Sequence, residues 1–291
     1  MQRRSIMSVD VEDYFHVEAF AGVVDRANWS AYPCRVERNT ERVLDLLDDC
    51  RTNATFFILG WVAERYPKLV RRIVERGHEP ACHSYWHRLI FKLTPEEFRE
   101  DTLRAKNAIE QAAGAAVEGY RAPSFSITKQ STWAWDVLAE LGFRYDSSVF
   151  PVKHDIYGFR EASRAPWTVD TPHAALVEFP MTTFRLGLGP NLPAAGGGYL
   201  RLLPFLYTYA GVRRAWGEGL PVISYVHPWE FDPEQPRLSA PLKSRVRHYT
   251  NLSRTEHRLR RLLEMDRFSS FRSSGLLESA CEVVTKETTS G

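Results

Sequence analysis

"SVDVEDYFH", residues 8–16, sets Asp10, Glu12, Asp13 and His16 at the end of a segment, Ile6 to Val9, that reads as a buried strand. An ionised carboxylate is costly to bury without a partner or a cation, so acids gathered at the end of a core strand need an explanation. Parallel α/β architectures carry their functional groups at the C-terminal ends of strands. The stretch therefore predicts a parallel sheet with a site at its strand ends.

Moving outward, strand then helix recurs. "ATFFILG" (54–60), "HEPACHS" (78–84), "VEGYRAP" (117–123), "FRYDSS" (143–148), "ALVEFP" (175–180) and "LPVISYVHP" (220–228) read as strands. Helical periodicity fills 36–50, 61–77, 94–114, 131–142 and roughly 202–217. Thr94 and Glu97 form a capping-box pattern with Pro95 at the first helical position, and Gly77 and Gly114 supply C-caps. Alternation of this kind argues for a mostly parallel sheet, and the number of units favours a closed or partly closed barrel. Residues 151–200, rich in Pro and Gly, are expected to be long loops; the glycines of "GLGPNLPAAGGGYLRLLP" are read as a flexible loop near the cleft.

The chain has 291 residues, 44% of them hydrophobic, and a formal net charge of +2, which singles out no nucleic-acid partner. No run approaches the ~18 apolar residues of a membrane span, and the N-terminus lacks the apolar core of a signal peptide. Cys34, Cys50, Cys82 and Cys281 follow no zinc or disulfide spacing and are expected to be reduced thiols of a cytoplasmic protein.

The other strand ends carry polar outliers: His83 and His87 in "HSYWH", Arg121 in "YRAP", Asp146 in "YDSS" and His227 in "YVHPWE". An i, i+4 histidine pair can reach one ion. Two histidines and a carboxylate make a catalytic zinc-type shell with one position left open. Glu12 and Asp13 are both candidate ligands. Arg121 could hold a carboxylate through a bidentate bond.

Taken in order, "VDVEDYF", "HSYWH", "YRAPSF" and "YVHPWEFD" resemble the motifs of NodB-type polysaccharide deacetylases (carbohydrate esterase family 4). The resemblance is closest to the branch in exopolysaccharide loci of bacteria with exosortase and PEP-CTERM systems. It covers residues 6 to about 235 and extends to "HYTNLSRTEHRLRRLL". It implies a distorted (β/α)7 barrel and a divalent metal, usually Zn2+. It also implies hydrolysis of N-acetyl groups on amino sugars of a polysaccharide or its biosynthetic precursor. By position Asp10 matches the catalytic base, Arg121 the residue orienting it, His227 the catalytic acid, and His83 and His87 the metal ligands, with Glu12 or Asp13 as the carboxylate ligand. The common first motif has two adjacent aspartates followed by glycine, whereas here Val11, Glu12 and Asp13 follow Asp10.

Tyr14, Trp86, Phe125, Asp146 and Trp229 are candidate substrate-binding residues, with Phe15 and Tyr85 as further aromatic neighbours. Two domains are expected, a barrel over 1–235 and a basic helical extension over 236–291 packed on it. Residues 237–267 hold nine Lys/Arg against three Asp/Glu. That excess fits either a solvated helix face or peripheral contact with anionic lipid at the inner membrane, where a lipid-linked oligosaccharide substrate would be met. Alternative functions are hydrolysis of a small cyclic amide or ureide, and a catalytically inactive glycan-binding barrel.

Overall fold

A computed structural model describes residues 4–154, 157–194 and 196–279; Cys281 lies outside them. The first half of the chain runs β1 (Ser5–Val11), α1 (Val36–Asp49), β2 (Thr55–Ile58), α2 (Gly60–Arg65), α3 (Pro67–Glu75), β3 (Glu79–Cys82), α4 (Pro95–Ala113), β4 (Gly119–Tyr120), α5 (Ala134–Glu140) and β5 (Tyr145–Asp146). The second half runs β6 (Trp167–Val169), β7 (Leu176–Glu178), β8 (Thr183–Phe184), β9 (Leu192–Pro193), α6 (Gly197–Leu202), α7 (Phe205–Gly217), β10 (Val222–Val226), α8 (Leu242–Tyr249), α9 (Thr255–Leu263) and β11 (Phe268–Ser269).

The main sheet has the order β10-β1-β2-β3-β4-β5-β7-β6. Its neighbours pair in parallel except β6, which lies antiparallel to β7. β11 adds to the first residues of β1, with Ser5 opposite Phe268. This curled half-barrel is the expected distorted β/α barrel. Among the described residues its open seam is bridged by a side chain rather than a ladder. Thr182, just past β7, donates through Oγ1 to the Ile223 carbonyl at 3.1 Å and accepts from the Ile223 N–H at 2.6 Å.

The alternation of β1 explains the position of the site. Met7, Val9 and Val11 pack outward with the helices around Val43, Leu44 and Leu47. Ile6 faces inward with Phe57, Ala81, Tyr145, Ile223 and Phe271. Because strand side chains alternate, Ser8 and Asp10 follow Ile6 into the barrel, which turns from apolar to polar toward the strand end. Both faces of β1, β2, β3 and β10 are buried, as a covered parallel sheet requires.

Proline divides one expected helix, and the helix expected over roughly 202–217 forms from Phe205, directly after Pro204. The periodicity over 61–77 divides into α2 and α3 at Tyr66, whose φ/ψ of −126°/54° are not helical. Pro67 has no N–H to continue the ladder, and its ring disfavours the α conformation of the residue before it. Pro204 separates α6 from α7 in the same way. The Thr94 capping box is present, and Gly77 and Gly114 take positive φ. Among the described residues the segment 151–200 is more ordered than expected, since besides the expected strand β7 it contains three short strands and the start of α6. Its glycine run is a close approach. A Cβ on Gly196 (φ +115°) would lie 2.4 Å from the Tyr225 ring, so the backbone lies directly against that ring. Cys34, Cys50 and Cys82 are free thiols.

Candidate active site

Asp10 is 2% exposed at the end of β1. The buried Arg121 donates from Nη1 to Asp10 Oδ1 at 2.7 Å and to Ser8 Oγ at 2.8 Å. Its Nε and Nη2 donate to the Ser147 carbonyl and hydroxyl, both at 3.1 Å, and its guanidinium lies 4.1 Å from the Phe57 ring centre. The arginine is thus held on several sides, and Asp10 Oδ2 is left facing His227, whose Nε2 lies 3.9 Å away.

One ligand atom each from Glu12, His83 and His87 lies within 4.8 Å of the others, and all three residues are buried. His83 Nδ1 is 2.8 Å from the Arg121 carbonyl. A carbonyl only accepts, so Nδ1 carries the proton and Nε2 keeps its lone pair. Burial drives the His83 pKa down to about 4, against the pull of Asp10, so the ring is neutral near pH 7. Burial raises the Glu12 carboxyl, but His87, His227 and His83 together hold it well below the usual carboxylate range. Glu12 Oε2 lies 2.9 Å from His87 Nε2, and among the described residues neither Glu12 Oε2 nor His87 Nδ1 has a hydrogen-bond partner. Two imidazoles and a carboxylate with unsatisfied buried atoms are a donor set that fits a divalent cation.

The loop that carries the histidines is strained and clamped. Ser84 and His87 adopt positive φ of 62° and 51°, an uncommon conformation for side-chain-bearing residues. Asp101 accepts the Tyr85 N–H at 2.6 Å, and Ser84 Oγ accepts the His87 N–H at 3.1 Å. Arg26 donates to the carbonyls of Trp86 and His87 at 2.8 and 3.0 Å.

Opposite Asp10, His227 Nδ1 meets Glu230 Oε2 at 3.1 Å, and the other Glu230 oxygen is engaged by Arg201 Nε. Burial lowers the His227 pKa, but Glu230, Glu12 and Asp10 outweigh it and bring the group up to about 9. Burial raises Glu230, yet Arg201 and His227 bring it down to about 2. Neither Glu230 nor Arg201 was a sequence candidate. The spacing of Glu230 three residues after His227, on one short turn, was a readable signal; nothing local marked Arg201.

The remaining candidates separate. Asp13 is turned away from the imidazoles. Its Oδ2 accepts the N–H groups of Arg35 and Val36 and the Cys34 thiol at the start of α1. Glu12, two residues from Asp10, is the acid that joins the histidines. Tyr14 is fully buried in the core, and Phe15 is held there by Tyr32, Trp29 and Trp61. Tyr85 is likewise buried, and half-buried Trp86 packs on Tyr85 and Trp29 outside the pocket wall. Phe125 lines the pocket. Trp229 lines it too, but its indole N–H donates to Glu12 Oε1 at 3.2 Å, and His227 and His248 stack on its ring. It therefore positions Glu12 more than it offers a sugar an open face.

Asp146 lies outside the pocket. It is fully buried, accepting from Trp135 Nε1 at 3.0 Å and from Ser148 Oγ, with Glu178 of the neighbouring strand as a further partner. Burial raises the pKa of both carboxyls, and the Asp146 charge raises Glu178 further, well above 4.5. Two carboxyls in one buried site share a proton. An acid with a raised folded pKa stabilises the fold fully below its unfolded pKa and loses that contribution as pH rises toward the folded value. Glu178→Gln keeps a donor for Asp146 and an acceptor for the Val149 N–H without the titration. Its melting temperature is expected to match the parent near pH 4.5 and to exceed it increasingly toward pH 8, by up to about 1.4 kcal/mol of stability per pH unit. Parallel curves across that range refute the shared proton.

Residues 28–145 match the family model described as "Polysaccharide deacetylase", and residues 147–275 that described as "Domain of unknown function (DUF3473)". The first segment holds His83, His87 and Arg121; the second holds Arg201, His227 and Glu230; Asp10 and Glu12 precede both. A chitooligosaccharide deacetylase of Bradyrhizobium sp. is 36% identical over 100 residues, covering 34% of this chain and 43% of that protein. A peptidoglycan-N-acetylglucosamine deacetylase of Bacillus cereus is 34% identical over 96 residues, 33% of this chain and 35% of that protein. The match thus spans less than half the length of either relative. A crystal structure from Mycobacterium smegmatis, assigned as a polysaccharide deacetylase, superposes with a TM-score of 0.64 at 20% identity, covering 98% of this chain and 91% of that one. That likeness establishes the shared fold.

Proposed function

We propose that this chain, a relative of the NodB-type polysaccharide deacetylases, hydrolyses the N-acetyl group of an amino sugar in a polysaccharide or its biosynthetic precursor. The observation that carries the reading is the convergence of the Arg121–Asp10 pair, the Glu12, His83 and His87 donors, and His227 on one pocket floor. A divalent cation held by Glu12, His83 and His87, with zinc the ion that best suits two imidazoles and one carboxylate, would supply Lewis-acid polarisation and an acidified water.

The chain's own residues supply the rest. Arg121 occupies Asp10 Oδ1, so Oδ2 is the oxygen that takes the proton of the attacking water. Glu230 holds His227 by Nδ1, which points Nε2 toward Asp10 and Glu12, where it delivers a proton to the departing amine nitrogen. An unprotonated amine anion is a very poor leaving group, so the reaction needs this second proton transfer.

The test is acetate release from N-acetylglucosamine oligomers by the zinc-loaded protein, with a cyclic ureide as the competing substrate. Acetate is the expected product. Ring opening of the ureide without acetate overturns the reading.

Exopolysaccharide biosynthesis is the setting we favour, with a lipid-linked oligosaccharide as one form of the substrate. The support is the outer face of α8, where Leu242 and Val246 are exposed beside Lys243 and Arg245. Basic and apolar residues together suit an anionic membrane surface. Among the described residues no helix is long and apolar enough to cross a membrane. The protein is expected to float with anionic vesicles at low salt and to dissociate at high salt; no flotation at low salt removes the membrane contact.

A further inference from the structure

His87 joins Glu12 and His83 from a turn wound against the preference of its own residues. Ser84 and His87 sit at φ of 62° and 51°, and a side-chain-bearing residue keeps such a conformation only where its surroundings over-determine it. The N–H groups of the turn are fixed from α4 and from within. Asp101 accepts from Tyr85 at 2.6 Å and from Trp86 at 3.3 Å, and Ser84 Oγ accepts from His87 at 3.1 Å. The carbonyls are fixed by one side chain. Arg26 donates from Nε to the Trp86 carbonyl at 2.8 Å and from Nη2 to the carbonyl of His87 itself at 3.0 Å. These two donors form one edge of a rigid planar guanidinium, so they set the spacing of the two consecutive carbonyls they hold.

Arg26 is itself braced. It opens a short helical turn, Arg26–Ala31, whose N-cap Asp25 accepts the Ala27 N–H at 3.0 Å. Three residues on, Trp29 is buried against His16, Trp61 and Trp86, with ring centroids 4.3, 5.6 and 5.8 Å away. The turn is therefore seated on the loop that its arginine clamps. The carboxylate of Glu18, a residue of the pocket wall, stands 3.9 Å from Arg26 Nη2. Arg26 also lies ahead of residue 28, where the polysaccharide deacetylase match begins, so the clamp comes from outside the matched segment that contains both histidines.

Resting on the metal-dependent reading above, we propose that Arg26 is a positioning residue for the cation: by holding the backbone of His87 in its left-handed turn, it keeps that imidazole within reach of the point shared with Glu12 and His83. Arg26 does not line the pocket, so it acts through His87. Without it, two consecutive carbonyls lose their donor, and the turn is free to relax toward an ordinary φ that carries the ring away from the other two ligands.

The experiment measures the zinc Kd of the full chain by competition with a chromophoric chelator, beside the melting temperature of the metal-free protein. Arg26→Met keeps the apolar stem and removes both donors. Loss of an outer-shell partner weakens a metal site about 10–100-fold, and the Kd of this variant is expected to rise by that factor. Arg26→Lys can serve one carbonyl at a time and is expected to fall between the variant and the parent. Co2+ loading gives a second readout, because its visible absorption reports ligand geometry: the bands should change in the Met variant and change less in the Lys variant. An arginine that merely stabilises the fold would lower the metal-free melting temperature and leave both the Kd and the Co2+ spectrum at the parent's values, and that result overturns the proposal. If Arg26→Met does not fold, Arg26→Lys decides: a raised Kd supports the proposal, and the parent's Kd overturns it. A parent chain that binds neither Zn2+ nor Co2+ overturns the proposal and the metal-dependent reading together, whereas a parental Kd in the variants overturns the proposal alone.

Discussion

Asp10→Asn is expected to lower kcat by about 10²- to 10⁴-fold, the range a positioned general base contributes. The metal content should stay that of the parent, because the carboxamide replaces a group outside the Glu12, His83 and His87 set. Loss of the Asp10 charge leaves Arg121 less well compensated, and breaking a buried ion pair can cost several kcal/mol. Here the cost is limited, since Arg121 also reaches Ser8, the Ser147 carbonyl and the Ser147 hydroxyl, and asparagine still offers an oxygen at Oδ1. The decisive comparison is therefore acetate release against metal content and melting temperature in one preparation. Retained activity would refute Asp10 as the base. Lost metal would move it into the ligand set.

His83→Ala should act on the other half of the machinery. Loss of an outer-shell partner weakens a metal site about 10–100-fold, so removal of a ligand is expected to exceed that. A readout independent of turnover is available. A ligand that binds only the folded state stabilises it by about 2.7 kcal/mol at a hundred times its Kd. The parent's melting temperature should rise on adding Zn2+, and the variant's should not. An equal rise in both would mean that the ion is held elsewhere. His83 also bonds to the Arg121 carbonyl, so the apo variant is expected to melt slightly below the apo parent.

Much of this arrangement could be read from the chain because it is local. Helix caps, the His-x-x-x-His spacing and an acidic strand end each lie within a few residues, and the structure forms them where the spacing indicates. Strand alternation places Ser8 and Asp10 on one side, but β1 ends at Val11 and the Glu12 N–H bonds back to the Asp10 carbonyl at 3.0 Å, so no periodicity separated Glu12 from Asp13. The aromatic residues were less legible. Tyr14, Tyr85 and Trp86 look like sugar platforms by type, but an aromatic ring serves a core equally well, and only the packing tells which. Arg201 and Thr182 were beyond reach. Arg201 meets Glu230 across 29 residues and Thr182 meets Ile223 across 41, and neither pairing leaves a periodic trace.

The register of the first strand bears on how the molecule comes into being. Residues 5–9 pair with 222–226, and Ser5 and Ile6 also with 268 and 269. Among the described strands the first in chain order thus pairs with the last two, and closing so long a loop before its contacts form is entropically slow. Asp10 lies in β1 and His227 directly follows β10. The two side chains face each other only once β10 has docked beside β1, so a chain folded short of that pairing would leave the pocket without its opposed pair.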